Sequence, residues 1–228
     1  MIWKKLLKRL KKQTSICKPC FKGIKYTSFH KLLFGEEDVC DDCIYASNPV
    51  FKEFEIDGIK AMTIYEYDEY MKTKIFTYKG CLDYELKDMF ISPFLLEIRL
   101  RFSDYSIVPI PSYVEDDKKR GYNNVIEIFK SLKLPIINCL IKTKDIKQKE
   151  QNYEHRQEIK KYIEFNYKYS VKNKKILIVD DIITTGASMR AAIALMRNNG
   201  AKDIKILSIA KRELTEDEIL NMKNIKKL

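Results

Sequence analysis

One stretch decides the fold of this chain: Lys175-Ile176-Leu177-Ile178-Val179-Asp180-Asp181-Ile182-Ile183-Thr184-Thr185-Gly186-Ala187-Ser188. Four consecutive apolar residues at 176–179, three of them β-branched, predict a strand that is buried on both faces. Two adjacent carboxylates follow, then a turn that contains Thr and Gly, and then residues 189–199 with the apolar spacing of a helix. This order indicates a βα unit of a parallel sheet.

The end of this strand carries the groups that a sugar phosphate needs. In open α/β sheets, ligands bind outside the carboxyl ends of the strands. Asp180 and Asp181 supply paired acceptors there, which suit the vicinal hydroxyls of a ribose. The turn and the helix N-terminus supply an anion site of N–H and hydroxyl groups, made of Thr184, Thr185, Gly186, Ala187 and Ser188. The sequence therefore predicts a ligand in which a diol lies next to a phosphate, such as ribose 5-phosphate.

Residues 176–188 resemble the phosphoribosyl pyrophosphate (PRPP) signature of type I phosphoribosyltransferases. The resemblance implies that Asp180 and Asp181 hold the ribose hydroxyls, that 184–188 wrap the 5-phosphate, and that Mg²⁺ arrives with the phosphates. A P-loop is excluded because its glycine-lysine motif is missing, and the acidic pair comes too late in the chain for a phosphoacceptor receiver domain. An ordinary βα unit with an acidic strand end is the alternative interpretation.

The positive charge is concentrated at one end of the chain. The chain has 228 residues and a net charge of +11. Its first 35 residues include ten basic residues and no acidic one. Residues 1–12 place apolar side chains on one helical stripe and basic ones on the other, so they could pack on the protein, touch an anionic membrane surface or extend a nucleic-acid face. We find no secretory signal and no run of 18 apolar residues, and therefore expect a cytoplasmic location.

Two Cys-x-x-Cys pairs form a second strong motif. The ligand candidates are Cys17, Cys20, Cys40 and Cys43, with nineteen residues between the pairs. This spacing is typical of a structural zinc site with four thiolates, with the intervening residues 26–34 as a hairpin. A redox dithiol is the alternative. Cys81 and Cys139 lie among apolar residues and are predicted to be buried free thiols.

The remaining elements alternate between strands and helices. We expect a hairpin around Asp57-Gly58, a strand at 106–111, a polar loop at 113–123, a helix at 124–132 and strands at 134–141, 162–169 and 203–210. The predicted fold class is α/β, with a type I phosphoribosyltransferase-like parallel sheet covered by helices on both faces and preceded by a small zinc-ribbon and hairpin module. The predicted units are 1–50 (basic helix and cysteine module), 51–66 (bridging hairpin) and 67–228 (phosphoribosyltransferase-like domain).

A four-cysteine module ahead of a PRPP-type domain resembles the ComF/ComFC family of competence-associated, phosphoribosyltransferase-like proteins. Further matching segments are Tyr78-Lys79-Gly80, Val108-Pro109-Ile110-Pro111, Arg120-Gly121-Tyr122-Asn123, and the pair Gln148 and Arg156. Gln151 and Ile159 depart from the Leu and Asn that the family has in the last of these loops. The resemblance implies a part in DNA uptake, with single-stranded DNA and other uptake proteins, such as a helicase, as partners.

Pyrophosphate needs cations or N–H donors opposite the 5-phosphate. The candidates are Lys79, Lys118, Lys119 and Arg120, of which Arg120 is favoured for its forked contacts. Arg156 either closes over the pyrophosphate or is a surface residue. Arg120 and Arg156 are thus the candidate catalytic residues.

Two classes of function fit these motifs. In the first, the cysteine module and the basic N-terminus bind single-stranded DNA, with Trp3, Phe21, Tyr26 and Phe29 available for base stacking. In the second, the protein is an enzyme that transfers ribose 5-phosphate from PRPP to a base or amine. Attachment to a membrane surface through residues 1–12 is a third hypothesis. The sequence specifies neither the acceptor, nor the oligomeric state, nor whether transferase activity is retained.

Overall fold

A computed structural model describes residues 16–24, 39–142 and 163–213. Its strands are β1 (Pro49–Ile56), β2 (Ile59–Glu66), β3 (Ser106–Pro109), β4 (Leu140–Lys142), β5 (Ile163–Phe165), β6 (Lys175–Ile183) and β7 (Asp203–Lys211). Its α-helices are α1 (Asp41–Ala46), α2 (Glu69–Gly80), α3 (Lys87–Ile91), α4 (Leu95–Arg101), α5 (Val114–Arg120), α6 (Asn124–Phe129) and α7 (Ala187–Asn198). Short 3₁₀ turns are Tyr84–Leu86, Ser92–Phe94 and Lys130–Leu132.

Three of the predicted features lie outside the described residues. They are the basic helix 1–12, the hairpin 26–34, and the loop that contains Gln148 and Arg156. Among the described residues, no helix is both long enough and apolar enough to cross a membrane.

The main sheet has five strands in the order β1-β2-β7-β6-β3. β2, β7, β6 and β3 run parallel, and only the edge strand β1 is antiparallel to its neighbour. β6 lies between β7 and β3, with Ile178 opposite Ile206 on one side and Val108 on the other. The predicted α/β fold with a mostly parallel sheet is therefore confirmed, and its central strand is the apolar run that begins at residue 176.

The two faces of the sheet carry separate apolar cores. Leu177 and Val179 face the core formed with α2, α3 and α6, whereas Ile176 and Ile178 face the core formed with α7. Successive side chains of a strand point to opposite faces, so this alternation explains why all four residues of the run are buried. β6 continues through Asp180 and Asp181 to Ile183, so the two aspartates lie within the strand and not after it.

The hairpin predicted around Asp57-Gly58 is present. Both residues have positive φ, 50° and 74°, as a two-residue turn between antiparallel strands requires. β2 also pairs with β7, so the hairpin is part of the main sheet and does more than bridge two units. The division of the chain at residues 50 and 66 stays a prediction.

Two expectations for the middle of the chain were wrong. The polar loop expected at 113–123 contains helix α5, which ends where Gly121 takes a left-handed conformation with φ of 81°. Arg120 pairs with Asp116 and Asp117 one turn earlier, so charges rather than an apolar stripe stabilise this helix. The strand expected at 134–141 is reduced to β4, which pairs with β5 in a separate two-stranded sheet.

The cysteine module packs against the main domain. Cys17, Ile24, Val39 and Cys43 belong to the same apolar core as the first face of the sheet. Lys18 Nζ lies 2.9 Å from Glu85 and 2.6 Å from Asp88, and Lys74 Nζ donates to the Pro19 carbonyl at 3.1 Å. The module is therefore held by apolar contacts and by ion pairs to the segment that follows α2.

The two remaining cysteines differ from each other. Cys139 is buried, as expected, but Cys81 is exposed. Cys81 occupies the position just after α2, where its backbone N–H donates to the Thr77 carbonyl, and its neighbours do not cover it. The prediction of a buried thiol was therefore wrong for Cys81.

Candidate functional site

A cavity of about 750 Å³ opens at the carboxyl ends of β6 and β3. It is lined by Asp180, Asp181, Ile182 and Ser188 from the signature stretch, by one face of α2, and by residues from 110–125. The position is where parallel α/β sheets bind their ligands. Its volume lies in the range of small-molecule sites, which run from about 300 to 1,000 Å³.

The two aspartates form the most acidic part of this cavity. Asp181 is only 6% exposed, and its Oδ2 lies 2.6 Å from Lys79 Nζ. Asp180 Oδ1 accepts a hydrogen bond of 2.9 Å from the Asp181 backbone N–H. Lys79 stands in the last turn of α2, so the end of that helix brings the ammonium group to the end of β6.

The surroundings of Asp180 perturb its carboxyl group. Burial by the surrounding protein and the charge of Asp181 raise the pKa of Asp180 well above its usual range, while Lys79 opposes that shift. Simultaneous ionisation of both carboxyl groups is therefore unfavourable. A ligand that donates hydroxyl hydrogen bonds to the carboxylates would relieve this repulsion.

The residues that follow the aspartates line two different cavities. Ser188 lines the large cavity, whereas Thr184, Thr185 and Gly186 line a smaller one of about 250 Å³. Arg190 lies on that second side, where its Nη2 donates to the Thr185 carbonyl. Ala187 lines neither cavity. The structure thus brings Asp180, Asp181 and Ser188 together and places the Thr-Thr-Gly segment beside Arg190.

Gly186 immediately precedes helix α7, and its backbone conformation favours glycine. Gly186 has φ of 72°, and its carbonyl accepts from the Arg190 N–H at 2.9 Å. A residue with a Cβ would be strained at this position because of the positive φ, whereas its Cβ would make only an ordinary contact, 3.4 Å from the flexible Arg190 Nη1.

The candidate cations fall into three groups. Lys79 and Arg120 line the large cavity, while Lys118 and Lys119 are exposed and are not part of its wall. The Arg120 guanidinium lies 3.4 Å from both Asp116 and Asp117, so in this structure it is held by its own helix. Arg156 lies outside the described residues.

Sequence reasoning missed several residues of the cavity wall. Phe76, Asn124 and Lys142 line it but did not stand out in the sequence. Lys72, Phe76 and Lys79 recur at helical spacing, which would have identified one face of α2 as a unit. No comparable pattern marks Asn124 or Lys142.

The four cysteines predicted as ligands come together. Their sulfur atoms lie within 4.8 Å of one another. The Cys17–Cys43 and Cys20–Cys40 Sγ distances are both 3.7 Å, close to the edge of about 3.8 Å that a tetrahedron with metal–sulfur bonds of about 2.3 Å has. No disulfide joins them.

Backbone hydrogen bonds shape this cluster. Cys17 N–H donates to the Lys22 carbonyl at 2.8 Å, and Cys40 N–H donates to Cys17 Sγ at 3.3 Å. Burial raises the pKa of Cys17 and Cys43, so a cation is needed for both to be thiolates. The cluster therefore fits a structural metal bound by four protein ligands.

Comparison with known proteins gives two sequence matches. Residues 127–227 match the family model described as "Phosphoribosyl transferase domain". The chain is also 30% identical over 155 residues to competence protein ComFC of Streptococcus pneumoniae, an alignment that covers 68% of this chain and 69% of the relative.

The comparison also gives partial likenesses to solved structures. A hypoxanthine phosphoribosyltransferase from Staphylococcus aureus aligns with a TM-score of 0.36 and 10% identity, over 58% of this chain and 65% of the other. A purine phosphoribosyltransferase from Pyrococcus horikoshii aligns with a TM-score of 0.36 and 20% identity, over 57% and 76%. This chain thus spans less than two thirds of the first of these structures.

Proposed function

This chain belongs to the ComF/ComFC family of competence-associated, phosphoribosyltransferase-like proteins, and on that premise we propose that it binds PRPP and acts in natural competence by handling transforming single-stranded DNA. Its cofactors in this proposal are a structural Zn²⁺ at Cys17, Cys20, Cys40 and Cys43, and Mg²⁺ that accompanies PRPP. Other DNA-uptake proteins, such as a helicase, are proposed as its partners.

The observation that carries the PRPP proposal is the acidic pair in the large cavity. In this proposal Asp180 and Asp181 accept hydrogen bonds from the two ribose hydroxyls, and Ser188, which lines the same cavity near the N-terminus of α7, contacts the 5-phosphate. Before the ligand binds, Lys79 forms an ion pair with Asp181 at 2.6 Å and so compensates the charge of that carboxylate. Once hydroxyl donors satisfy Asp181, the Lys79 ammonium becomes available to the pyrophosphate.

The same cavity supports a transferase reaction as a second candidate. In that reaction the bond between C1 of the ribose and the pyrophosphate oxygen breaks, and the acceptor forms a new bond to C1. Lys79 and Arg120 lie in the cavity wall, where they would stabilise the charge of the departing pyrophosphate. Mg²⁺ would neutralise part of that charge when bound.

Pyrophosphate release decides between the two candidates. If the protein is an active transferase, incubation with PRPP and Mg²⁺ releases pyrophosphate faster when the right base or amine is added. A protein that only senses PRPP binds it without acceptor-dependent release. Arg120→Ala is expected to slow release by about 10- to 100-fold if the guanidinium leaves its own helix for the pyrophosphate.

The proposal of DNA handling rests on charge and on one exposed aromatic side chain. Phe21 is 75% exposed beside the cysteine cluster, next to the exposed Lys22. An exposed ring beside cations suits stacking on unpaired bases, with phosphates bound nearby. Lys18 is engaged by Glu85 and Asp88, so it contributes to docking of the module and is not proposed as a DNA contact.

A further inference from the structure

Ser208 is a polar residue at a fully buried position of the main sheet. It lies in β7, is 0% exposed, and its Oγ has no hydrogen-bond partner in the part of the chain that the structure describes. A buried hydroxyl without a partner is unfavourable, and most buried polar groups in folded proteins have one. Neither packing in the sheet nor the proposed contacts of the ribose phosphate explain a serine at this position.

The register of the sheet places Ser208 beside Asp180. Ile178 of β6 lies opposite Ile206 of β7, and both pack in the core formed with α7. Two residues further along both strands, Asp180 lies opposite Ser208. Side chains two positions apart in a strand point to the same face, and neighbouring strands lie about 4.8 Å apart. The hydroxyl and the carboxyl group are therefore neighbours on this face of the sheet.

The neighbour of Ser208 on its other side is already engaged. Thr63 of β2 lies opposite Ser208 there, and its hydroxyl donates to the Ile209 carbonyl at 3.2 Å. Asp180 Oδ1 accepts from the Asp181 N–H at 2.9 Å, but an ionised carboxylate can accept several further hydrogen bonds. Of the two residues that flank Ser208 across the sheet, Asp180 is therefore the acceptor with capacity to spare.

We propose that Ser208 is a positioning residue for Asp180, and that its hydroxyl donates to the ionised carboxylate that holds the ribose. The hydroxyl needs only a rotation about its χ1 bond to make this contact. The contact fixes the orientation of the carboxylate and stabilises its charge in a buried site, where a charge without donors is costly. The inference rests on the proposed ribose phosphate site and extends it by a residue that is not part of the cavity wall.

Other charged groups also surround the end of β6. They are Asp181 of the same strand, Lys79 of α2, Lys142 of β4, Arg120 with its partner Asp116 on α5, and Arg190 of α7, which donates to the Thr185 carbonyl. The charge of Asp181 opposes ionisation of Asp180, whereas the two lysines favour it. All of these groups remain when Ser208 is replaced, so a change in the titration of Asp180 reports on the hydroxyl.

Calorimetry of ribose 5-phosphate with Mg²⁺ over a range of pH tests this role. Ser208→Ala should weaken binding about tenfold where Asp180 is ionised, as loss of a hydrogen bond to a charged group does. The difference should vanish in acid, where Asp180 is protonated. The pH dependence of the affinity should therefore move to higher pH, a change that a purely structural role would not produce. Ser208→Cys keeps a side chain of similar size but donates only weakly, so it should show the same displacement.

Ser92→Ala is the matched control. Ser92 is also buried, and its Oγ likewise has no partner among the described residues, but it is not part of the cavity wall. This variant should bind ribose 5-phosphate normally. In an Asp180→Asn background, Ser208→Ala should weaken binding much less, because its effect is transmitted through the carboxylate. Thermal melting should show little loss of stability in Ser208→Ala, since a hydroxyl without a partner contributes little to the fold.

The outcomes separate this inference from the proposal on which it rests. If ribose 5-phosphate binds but Ser208→Ala binds equally well at every pH, or loses the same factor in the Asp180→Asn background, Ser208 does not position Asp180 and the ribose phosphate site stands. If the unaltered protein does not bind ribose 5-phosphate, the ribose phosphate site is wrong, and NMR titration of the Asp180 carboxyl group decides whether Ser208 acts on it. The midpoint of that titration should move to higher pH in Ser208→Ala, and an unmoved midpoint would overturn the inference.

Discussion

Asp180 and Asp181 are neighbours in sequence but differ in their surroundings. Asp181 has a cation at 2.6 Å, whereas the raised pKa of Asp180 reflects burial and the charge of its neighbour. The folded protein therefore holds a proton on Asp180 at pH values where the unfolded chain has released it. By proton linkage, stability falls as the pH rises from the ordinary carboxyl range toward the raised pKa.

Asp180→Asn should consequently stabilise the ligand-free protein at neutral pH. We expect the melting temperature to rise by about 2–4 °C, which corresponds to about 1 kcal/mol in a protein of this size, because the amide carries no charge to desolvate. Thermal melting measured from acidic to neutral pH checks this, and the gain should vanish in acid, where Asp180 of the unaltered protein is protonated. An unchanged or lower melting temperature at neutral pH would contradict it.

Ligand binding should show the opposite dependence on pH. Ribose hydroxyls donate to the ionised carboxylate, so the affinity for ribose 5-phosphate should increase as the pH rises through the raised pKa of Asp180. Calorimetry in buffers of different ionisation enthalpy should detect release of the Asp180 proton. Asp180→Asn should abolish the part of the pH dependence that comes from Asp180. The remaining pH dependence of the affinity should then reflect only the titration of the ligand's phosphate.

At the residue scale, the sequence predicted the paired carboxylates but not their partners. The sequence indicated Lys79 as a cation for pyrophosphate. It did not indicate the ion pair of Lys79 with Asp181, because that contact depends on the position of the end of α2 relative to β6. Arg120 was expected in an irregular loop, and its ion pairs to Asp116 and Asp117 arise only because that segment is helical. An exposed Phe76 cannot be distinguished from a core residue by its spacing on a helix.

The cysteine module is the element whose prediction can be tested most simply. Protein purified without chelator should contain about one Zn²⁺ per chain, because four sulfur ligands close the coordination sphere. Cys17→Ser should lose the metal and lower the melting temperature by about 6–12 °C, which corresponds to about 3 kcal/mol in a protein of this size.

Cys81→Ser is the control for this measurement. Cys81 is exposed and lies outside the cluster, so its replacement should change neither the metal content nor the melting temperature. Equal metal content in the Cys17→Ser and unaltered proteins would contradict the assignment of the site.

At the element scale, strong local patterns were predictable and long-range pairing was not. The buried strand β6, helix α7 and the hairpin turn follow from an apolar run, a helical spacing and Asp57-Gly58. The pairing of β2 with β7 joins residues that lie more than a hundred positions apart, and nothing in the hairpin sequence indicates it. Helix α5 was missed because its residues are mostly charged and show no apolar period.

The whole molecule combines a nearly neutral sheet domain with a basic N-terminal region. The cysteine module and the sheet share one apolar core, so the described part of the module is attached to the phosphoribosyltransferase-like domain through packing. Sequence patterns indicated the two parts but did not show that they share a core, because a spacing of cysteines does not indicate what Cys17 and Cys43 pack against, and Ile24 and Val39 belong to no motif.

DNA binding can be tested through two neighbouring lysines of this module. Lys22 is exposed, whereas Lys18 pairs with Glu85 and Asp88. If the exposed lysine contacts a phosphate of single-stranded DNA, Lys22→Gln should weaken binding and reduce the dependence of log affinity on log salt by about 0.7. Lys18→Gln should leave that dependence unchanged.

Fluorescence anisotropy with a labelled oligonucleotide at several salt concentrations gives both the affinity for DNA and its dependence on salt. Phe21→Ala should weaken binding at every salt concentration by a similar factor, because stacking is not electrostatic. An unaltered salt dependence in Lys22→Gln, together with full affinity in Phe21→Ala, would exclude this surface from the DNA site.

The central claim is that the cavity at the end of β6 binds PRPP through Asp180 and Asp181, and calorimetry of PRPP with Mg²⁺ tests it most directly. We predict saturable binding of one PRPP per chain to the unaltered protein. Asp181→Asn should weaken it by about 10- to 100-fold, as loss of a charged hydrogen-bond acceptor does, while the exposed Glu164→Gln should bind normally. Absence of binding by the unaltered protein, or equal binding by Asp181→Asn, would contradict the account.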